Sequence, residues 1–219
     1  MSCTATSPLW ERAVLRETAG PTLRPGGYLL TDRAVSLAAI PQGARVLDVG
    51  CGLGATVEYL HTQHALAACG IDNSVRQLSE APSDLPLILA DASCIPCEDA
   101  YFDAIFCECV LSLMTDQDRT IKEFRRVLRP GGKLIISDLY KRTREFIPDG
   151  GCSCSSSPLD LDRTEKILDR HGIRITSLED HSKMLAELAA RLIFAGEADF
   201  RLTGNCCSRP GYMLLIAEA

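Results

Sequence analysis

The stretch Arg45-Val-Leu-Asp-Val-Gly-Cys-Gly-Leu-Gly54 limits what this chain can fold into more than any other. An apolar run ending in glycines at alternate positions reads as a buried strand that turns sharply into a helix. Val46, Leu47 and Val49 suit a strand covered on both faces. Gly50, Gly52 and Gly54 let backbone approach a ligand where any Cβ would intrude, and Cys51 sits among them. The segment from Ala55 to His61 supplies a helix whose N-terminal amides face that ligand. The turn is therefore a candidate small-molecule site; a structural strand-turn with no ligand is the alternative.

Around this turn, strand and helix patterns alternate. Residues 7–18 read as a helix with Ser7 as N-cap and Pro8 at its first position. A loop follows over Gly20–Gly27, and Thr31 is the candidate cap of a helix running through Ile40. The Pro25-Gly26-Gly27-Tyr28 turn either closes over the ligand, bringing Tyr28 to it, or simply connects two helices. After the glycines come a helix to about His64 and strands at 66–71, 85–92, 102–109 and 133–138. A helix over 118–128 ends at Arg129-Pro-Gly-Gly132. Further on, 160–171 reads as a helix and 173–178 as a strand. Lys183 to about Phe200 reads as an amphipathic lid helix, and 212–217 as a last strand. Regular β-α alternation predicts a doubly wound, largely parallel α/β sheet. At 219 residues the chain is expected to form one domain, with N-terminal helices over 1–42, a ligand-binding core over 43–139 and acceptor-side elements over 140–219.

Net charge −6 with no Lys/Arg run argues against a nucleic-acid partner. No apolar segment reaches membrane-spanning length, and the first residues lack the layout of a signal peptide, so a cytoplasmic protein is expected. Its eleven cysteines are then expected as thiols, many of them small core residues.

Asp48 narrows the ligand. A carboxylate beside the turn disfavours a pyrophosphate, because two anions would share a poorly screened site, and the glycine spacing departs from the dinucleotide pattern. This disfavours a nicotinamide oxidoreductase and suits a zwitterionic cofactor. About twenty residues on, Asp72, followed by Asn73, ends the second strand where a ribose hydroxyl pair is gripped in nucleoside-binding α/β folds; an N-cap role is its alternative. Asp91 ends the third strand and offers an acceptor to an adenine amino group.

The run from Asp48 to Gly54 resembles motif I of the class I S-adenosylmethionine (SAM) dependent methyltransferases. With Gly70-Ile-Asp72, Ala90-Asp91-Ala92, Ile95-Pro96, Phe102-Asp103 and Glu123-Phe-Arg-Arg-Val-Leu-Arg-Pro-Gly-Gly132, it is similar to their ubiquinone/menaquinone-biosynthesis type over roughly 43–139. The resemblance implies a Rossmann-like, seven-stranded sheet with its last strand antiparallel. It implies that Asp48 and the Gly50–Gly54 turn cradle the methionine part of SAM, and that Asp72 takes the ribose. Asp91 and Ala92 would take the adenine, and Cys107 and Glu108 would line the site near the sulfonium. The expected function is methyl transfer to a small-molecule substrate, with S-adenosylhomocysteine as product.

Three groups bear on the acceptor. Cys107-Glu108-Cys109 ends the fourth strand, where ligands bind in such sheets, with Glu108 a candidate base or charge-holder and packing the alternative. Asp180-His181 reads as a carboxylate-oriented imidazole base or as a surface turn with a helix cap. Cys152, Cys154, Cys206 and Cys207 lie on two loops as soft ligands for a thiophilic acceptor, as cysteines hold trivalent arsenic in arsenite methyltransferases, or as ordinary thiols. Their spacing matches no zinc motif, so no metal is expected. A methyltransferase-like binding module without catalysis is the non-enzyme alternative.

Overall fold

The alternating pattern becomes one seven-stranded sheet with helices on both faces. The computed structural model describes residues 9–143, 157–196 and 209–219. Strands β1 (Arg45–Val49), β2 (Ala67–Asp72), β3 (Leu87–Leu89), β4 (Phe102–Glu108) and β5 (Leu128–Tyr140) run parallel, in the order β3-β2-β1-β4-β5. Beyond them lies β6 (Arg174–Asp180), and β7 (Gly211–Glu218) is inserted antiparallel between β5 and β6. The last strand runs against the others, as the resemblance implied.

The side-chain period of two divides the buried strands between two cores. Val46, Phe106, Ile135 and Leu214 pack against α2 (Gly27–Leu37), α3 (Ala55–His64) and α7 (Ser182–Phe194). Leu47, Ile105, Cys107 and Ile136 point the other way, onto α5 (Gln117–Val127) and α6 (Leu161–Arg170). Ser74, Asp116 and Asp160 start α4 (Val75–Glu80), α5 and α6 by accepting a backbone N–H three residues ahead. A short helix, α1 (Ala13–Ala19), joins α7 in a small separate cluster of Leu15, Leu188 and Leu192.

Several boundaries differ from the sequence expectation. The chain begins its described part with a 3-10 turn, Leu9–Glu11, and α1 starts only at Ala13; Ser7 lies outside the described residues. Gly27, expected in a connecting turn, opens α2, so Thr31 is inside that helix and fully buried rather than capping it. The Arg129–Gly132 break is a bulge within β5, between the Phe102–Leu128 and Ala104–Lys133 pairs. There, Gly131 donates to the Ala219 carbonyl and Gly132 accepts from the Ala219 N–H, fastening the bulge to the residue after β7. Finally, α7 ends at Phe194, short of Phe200, and is packed: Leu185 enters the sheet core while Leu188 and Leu192 meet α1.

Candidate active site

A cavity of about 820 Å³ opens at the carboxyl ends of β1, β2, β4 and β5. In this strand order the connections diverge beside β1, and ligands of open α/β sheets bind at such a switch point.

The glycine turn forms the cavity's rim. Gly50 and Cys51 both donate to the Ile71 carbonyl, at 2.8 and 3.1 Å, tying the turn to β2. The three glycines are there for different reasons. A Cβ on Gly50 would sit 2.3 Å from Val110 Cγ2, and one on Gly54 would sit 2.7 Å from Leu85 Cδ1. Both make room for packing. At Gly52 the nearest atom would be Gln77 Oε1 at 3.9 Å, so this residue alone leaves open space over its backbone. Its φ of +53° also favours glycine. Asp72 braces the turn: one carboxylate oxygen accepts from Gly52 N at 2.8 Å and the other from Ser74 N at 2.8 Å. Each oxygen keeps a further lone pair for a ligand.

Behind the turn is a buried charge cluster. Glu108, at the end of β4, pairs with Arg24 at 2.8 Å, and both side chains are almost entirely buried. Arg24 also donates to the Gly27 carbonyl at 2.9 Å and to Thr31 Oγ1 at 2.5 Å, which explains why Thr31 is buried within α2. Burial pushes the Asp48 carboxyl well above the ordinary carboxylate range, Glu108 pushes it further, and Arg24 opposes both. Burial likewise raises Glu108, again against Arg24. Burial works most strongly against the Arg24 charge, but Glu108, Tyr212, Cys109 and Asp48 together outweigh it and leave the guanidinium more basic than usual.

Among the described residues, Thr22 Oγ1, Arg24 Nε, Gln77 Oε1 and Glu108 Oε1 are buried polar atoms without a hydrogen-bond partner, and all four residues line this cavity. Buried polar atoms are almost always paired. A polar ligand in the cavity would satisfy them.

Asp48, Gly50, Cys51, Gly52, Asp72, Asn73, Ala92, Glu108 and Cys109 line the cavity, as the sequence suggested. Gly54, Asp91, Cys107, Tyr28 and His181 do not. Cys107 is one residue from Glu108, so strand alternation turns it to the opposite face, where burial in the α5 core pushes its thiol well up. Asp91 is exposed, and its Oδ1 accepts from Ser93 N at 2.7 Å. Tyr28, in the first turn of α2, stacks on Tyr59 of α3 at 4.0 Å between ring centroids. His181 has Glu179 as its partner, at 3.0 Å, instead of Asp180, which accepts from Ser182 N; Glu179 is also held by Arg33 of α2. Cys152, Cys154, Cys206 and Cys207 lie outside the described residues.

Arg24, Thr22 and Gln77 escaped the sequence reading. Gln77, in the first turn of the helix after Asp72, was within reach of a positional argument. Arg24 carries no local signal, because its partner is eighty-four residues away in sequence. Cys109, with φ +58° and Sγ 3.3 Å from Tyr212 Oη, occupies the left-handed region that non-glycine residues avoid.

This glycine turn, its bracing acid and the switch-point cavity define a nucleoside-cofactor class of α/β protein. Residues 47–136 match the methyltransferase domain family. Methyltransferase GfsG from Streptomyces halstedii is 30% identical over 177 residues, covering 74% of this chain and 64% of the relative. The 27-O-demethylrifamycin SV methyltransferase of Amycolatopsis mediterranei is 32% identical over 175 residues, covering 76% and 61%. The chain therefore spans somewhat under two thirds of the length of these relatives. Among solved structures, phosphoethanolamine N-methyltransferase 2 of Haemonchus contortus in complex with S-adenosyl-L-methionine superimposes with a TM-score of 0.76 at 18% identity, over 94% of this chain and 56% of that one. The [4+2]-cyclase SpnF gives a TM-score of 0.72 at 24% identity, over 87% and 79%.

Proposed function

We propose that this chain is a SAM-dependent methyltransferase acting on a small molecule, its three segments working as one unit. The observation that carries this reading is the set of unpartnered buried polar atoms on residues lining the cavity, with Gln77 Oε1 next to Gly52 and an acid already bonded to Gly52 N. SAM fits that set, being a zwitterion with ribose hydroxyls. Asp72 and Asn73 would hold the ribose, and Gly50, Gly52, Cys51 and Asp48 the methionine part, with Ile71, Ala90 and Ala92 flanking the adenine. The bound cofactor supplies an activated methyl group for in-line displacement. The chain's own contribution is alignment, which is worth several kcal/mol or more in such reactions. Glu108 is our candidate for accepting a proton from the acceptor or for holding positive charge beside it. Supporting a reducing, cytoplasmic setting, none of the six described cysteines is in a disulfide, and no helix among the described residues is long and apolar enough to cross a membrane.

Calorimetric titration with S-adenosylhomocysteine tests the reading, with stoichiometry near one expected. Because the [4+2]-cyclase shares the fold, methyl transfer needs its own measurement: labelled methyl from SAM must appear in an acceptor. Absence of S-adenosylhomocysteine binding, with an NADH fluorescence change in its place, would overturn the proposal in favour of an oxidoreductase.

A further inference from the structure

The cavity has two unlike sides, to either side of β1 along the strand ends. On the β2 side of β1 it is polar, with Gly52, Asp72, Asn73, Ser74 and Gln77. On the β4 and β5 side it is apolar, with Val110, Leu113 and Met114 from the 3-10 turn after β4, backed by Leu139 and Leu185. That turn is built as a platform. Ser112 N and Oγ bond to the two oxygens of the fully buried Asp138, at 2.9 and 2.8 Å, and Val110 lies in the space left by Gly50. A turn pinned this firmly nevertheless exposes Leu113, at 37% of its surface, with Met114 half-buried beside it. Packing does not account for exposed leucine on so constrained a turn; a ligand lying on it does.

Charge decides the kind of ligand. Among the described residues, the carboxyl groups beside this side are Glu108, already paired with Arg24, and Asp48, which burial next to Glu108 pushes well above the ordinary carboxylate range. The Glu108–Arg24 pair cancels its own charge, so neither a cationic amine nor a phosphate finds a buried unpaired counter-ion there; the remaining cation, Arg163, is exposed, where water and salt screen it. We infer that the acceptor is a neutral, predominantly apolar molecule that lies on Val110, Leu113 and Met114 with its reacting group toward Glu108. Its role as acceptor rests on the methyltransferase reading; the apolar site does not.

The probe is N-phenyl-1-naphthylamine, a neutral dye that fluoresces in apolar sites, titrated into protein saturated with S-adenosylhomocysteine. Saturable binding at one site is expected, and the Leu113→Gln, Met114→Gln double variant should weaken it about tenfold or more. Leu113→Gln alone, at a partly exposed position, provides the same test with less disturbance of the fold. Leu29→Gln, which changes an exposed leucine on α2 away from the cavity, should change nothing. Phosphoethanolamine, the charged probe, should not displace the dye. No saturable dye binding, equal binding by the Leu113 and Met114 variants, or displacement by phosphoethanolamine overturns the inference. If S-adenosylhomocysteine binds and the dye does not, the inference fails alone. If the dye binds and S-adenosylhomocysteine does not, the cofactor reading fails and the apolar site stands.

Discussion

Two buried carboxylates at the ends of neighbouring strands, Glu108 on β4 and Asp138 on β5, have been treated differently by the chain. Asp138 accepts from Ser112 N, Ser112 Oγ and Leu139 N, all within 2.9 Å. Glu108 has Arg24, the Ser137 side chain beside it on β5 and, at a long 3.4 Å, Thr56, and its Oε1 lacks a partner at hydrogen-bond distance and angle. Both oxygens of Asp138 are taken up by hydrogen bonds from its own chain, whereas Glu108 is left partly open. A carboxylate closed by its own chain is scaffold, and one left open toward a cavity is there for something else. Strand parity sharpens the contrast, since Glu108 faces the α2 and α3 side with the cavity while Asp138 faces the α5 side.

The largest way to break this contrast is Arg24→Ala, which leaves Glu108 buried without its cation. We expect a loss of about 3–5 kcal/mol at neutral pH by urea unfolding. Joint replacement of Arg24 by Met and Glu108 by Leu should recover most of it, and failure to recover would show that the pair is structural beyond its charge. Next, Asp138→Asn should cost about 2–3 kcal/mol, by breaking charge-assisted bonds and turning a donor toward either the Ser112 or the Leu139 amide. It also carries a pH signature. Burial raises Asp138 to about 6, so the folded state holds its proton where the unfolded chain has lost it. Wild-type stability should therefore fall as pH rises from about 4 to about 6, and the Asn variant should lack that component. An unchanged pH profile in the variant would show Asp138 is ionised throughout.

Asp72→Ala is the matching test on the polar side, expected to weaken S-adenosylhomocysteine by about 1–3 kcal/mol in calorimetry. Wild-type affinity there would remove Asp72 from the site. The smallest effect is expected from His181→Ala, because the ring pairs with Glu179 away from the cavity. Stability should change by about 0–1 kcal/mol, with S-adenosylhomocysteine affinity unaltered; a clear loss of affinity would return His181 to the site.

The polar side was legible in the sequence because it is local. Strand, glycines and Asp72 fall within twenty-eight residues, 45–72, and spacing alone places them together. The sheet was legible for a similar reason, since each strand ends in its own turn signal. The other side is assembled from distant segments, with Arg24 before α2, Glu108 at the end of β4 and Leu185 on α7, and no spacing rule connects them. Cys107 is a different kind of miss. Alternation within β4 allows only one of Cys107 and Glu108 to face a given side, so parity could have excluded it. Tyr28 depended on whether Gly26 and Gly27 form a connector or start a helix, a choice decided by Arg24 bonding to the Gly27 carbonyl.

The placement of β7 between β5 and β6 has a consequence for biosynthesis. As the chain leaves the ribosome, β6 is complete before its only neighbour in the sheet exists, and β5 waits with one side unpaired. Both edges stay available to other nascent chains until residues 211–218 emerge and fill the gap. Tyr212, whose hydroxyl meets both Cys109 and Ser137, arrives with that strand, so the floor beneath the Cys109 side of the cavity is laid down only when translation has passed β7.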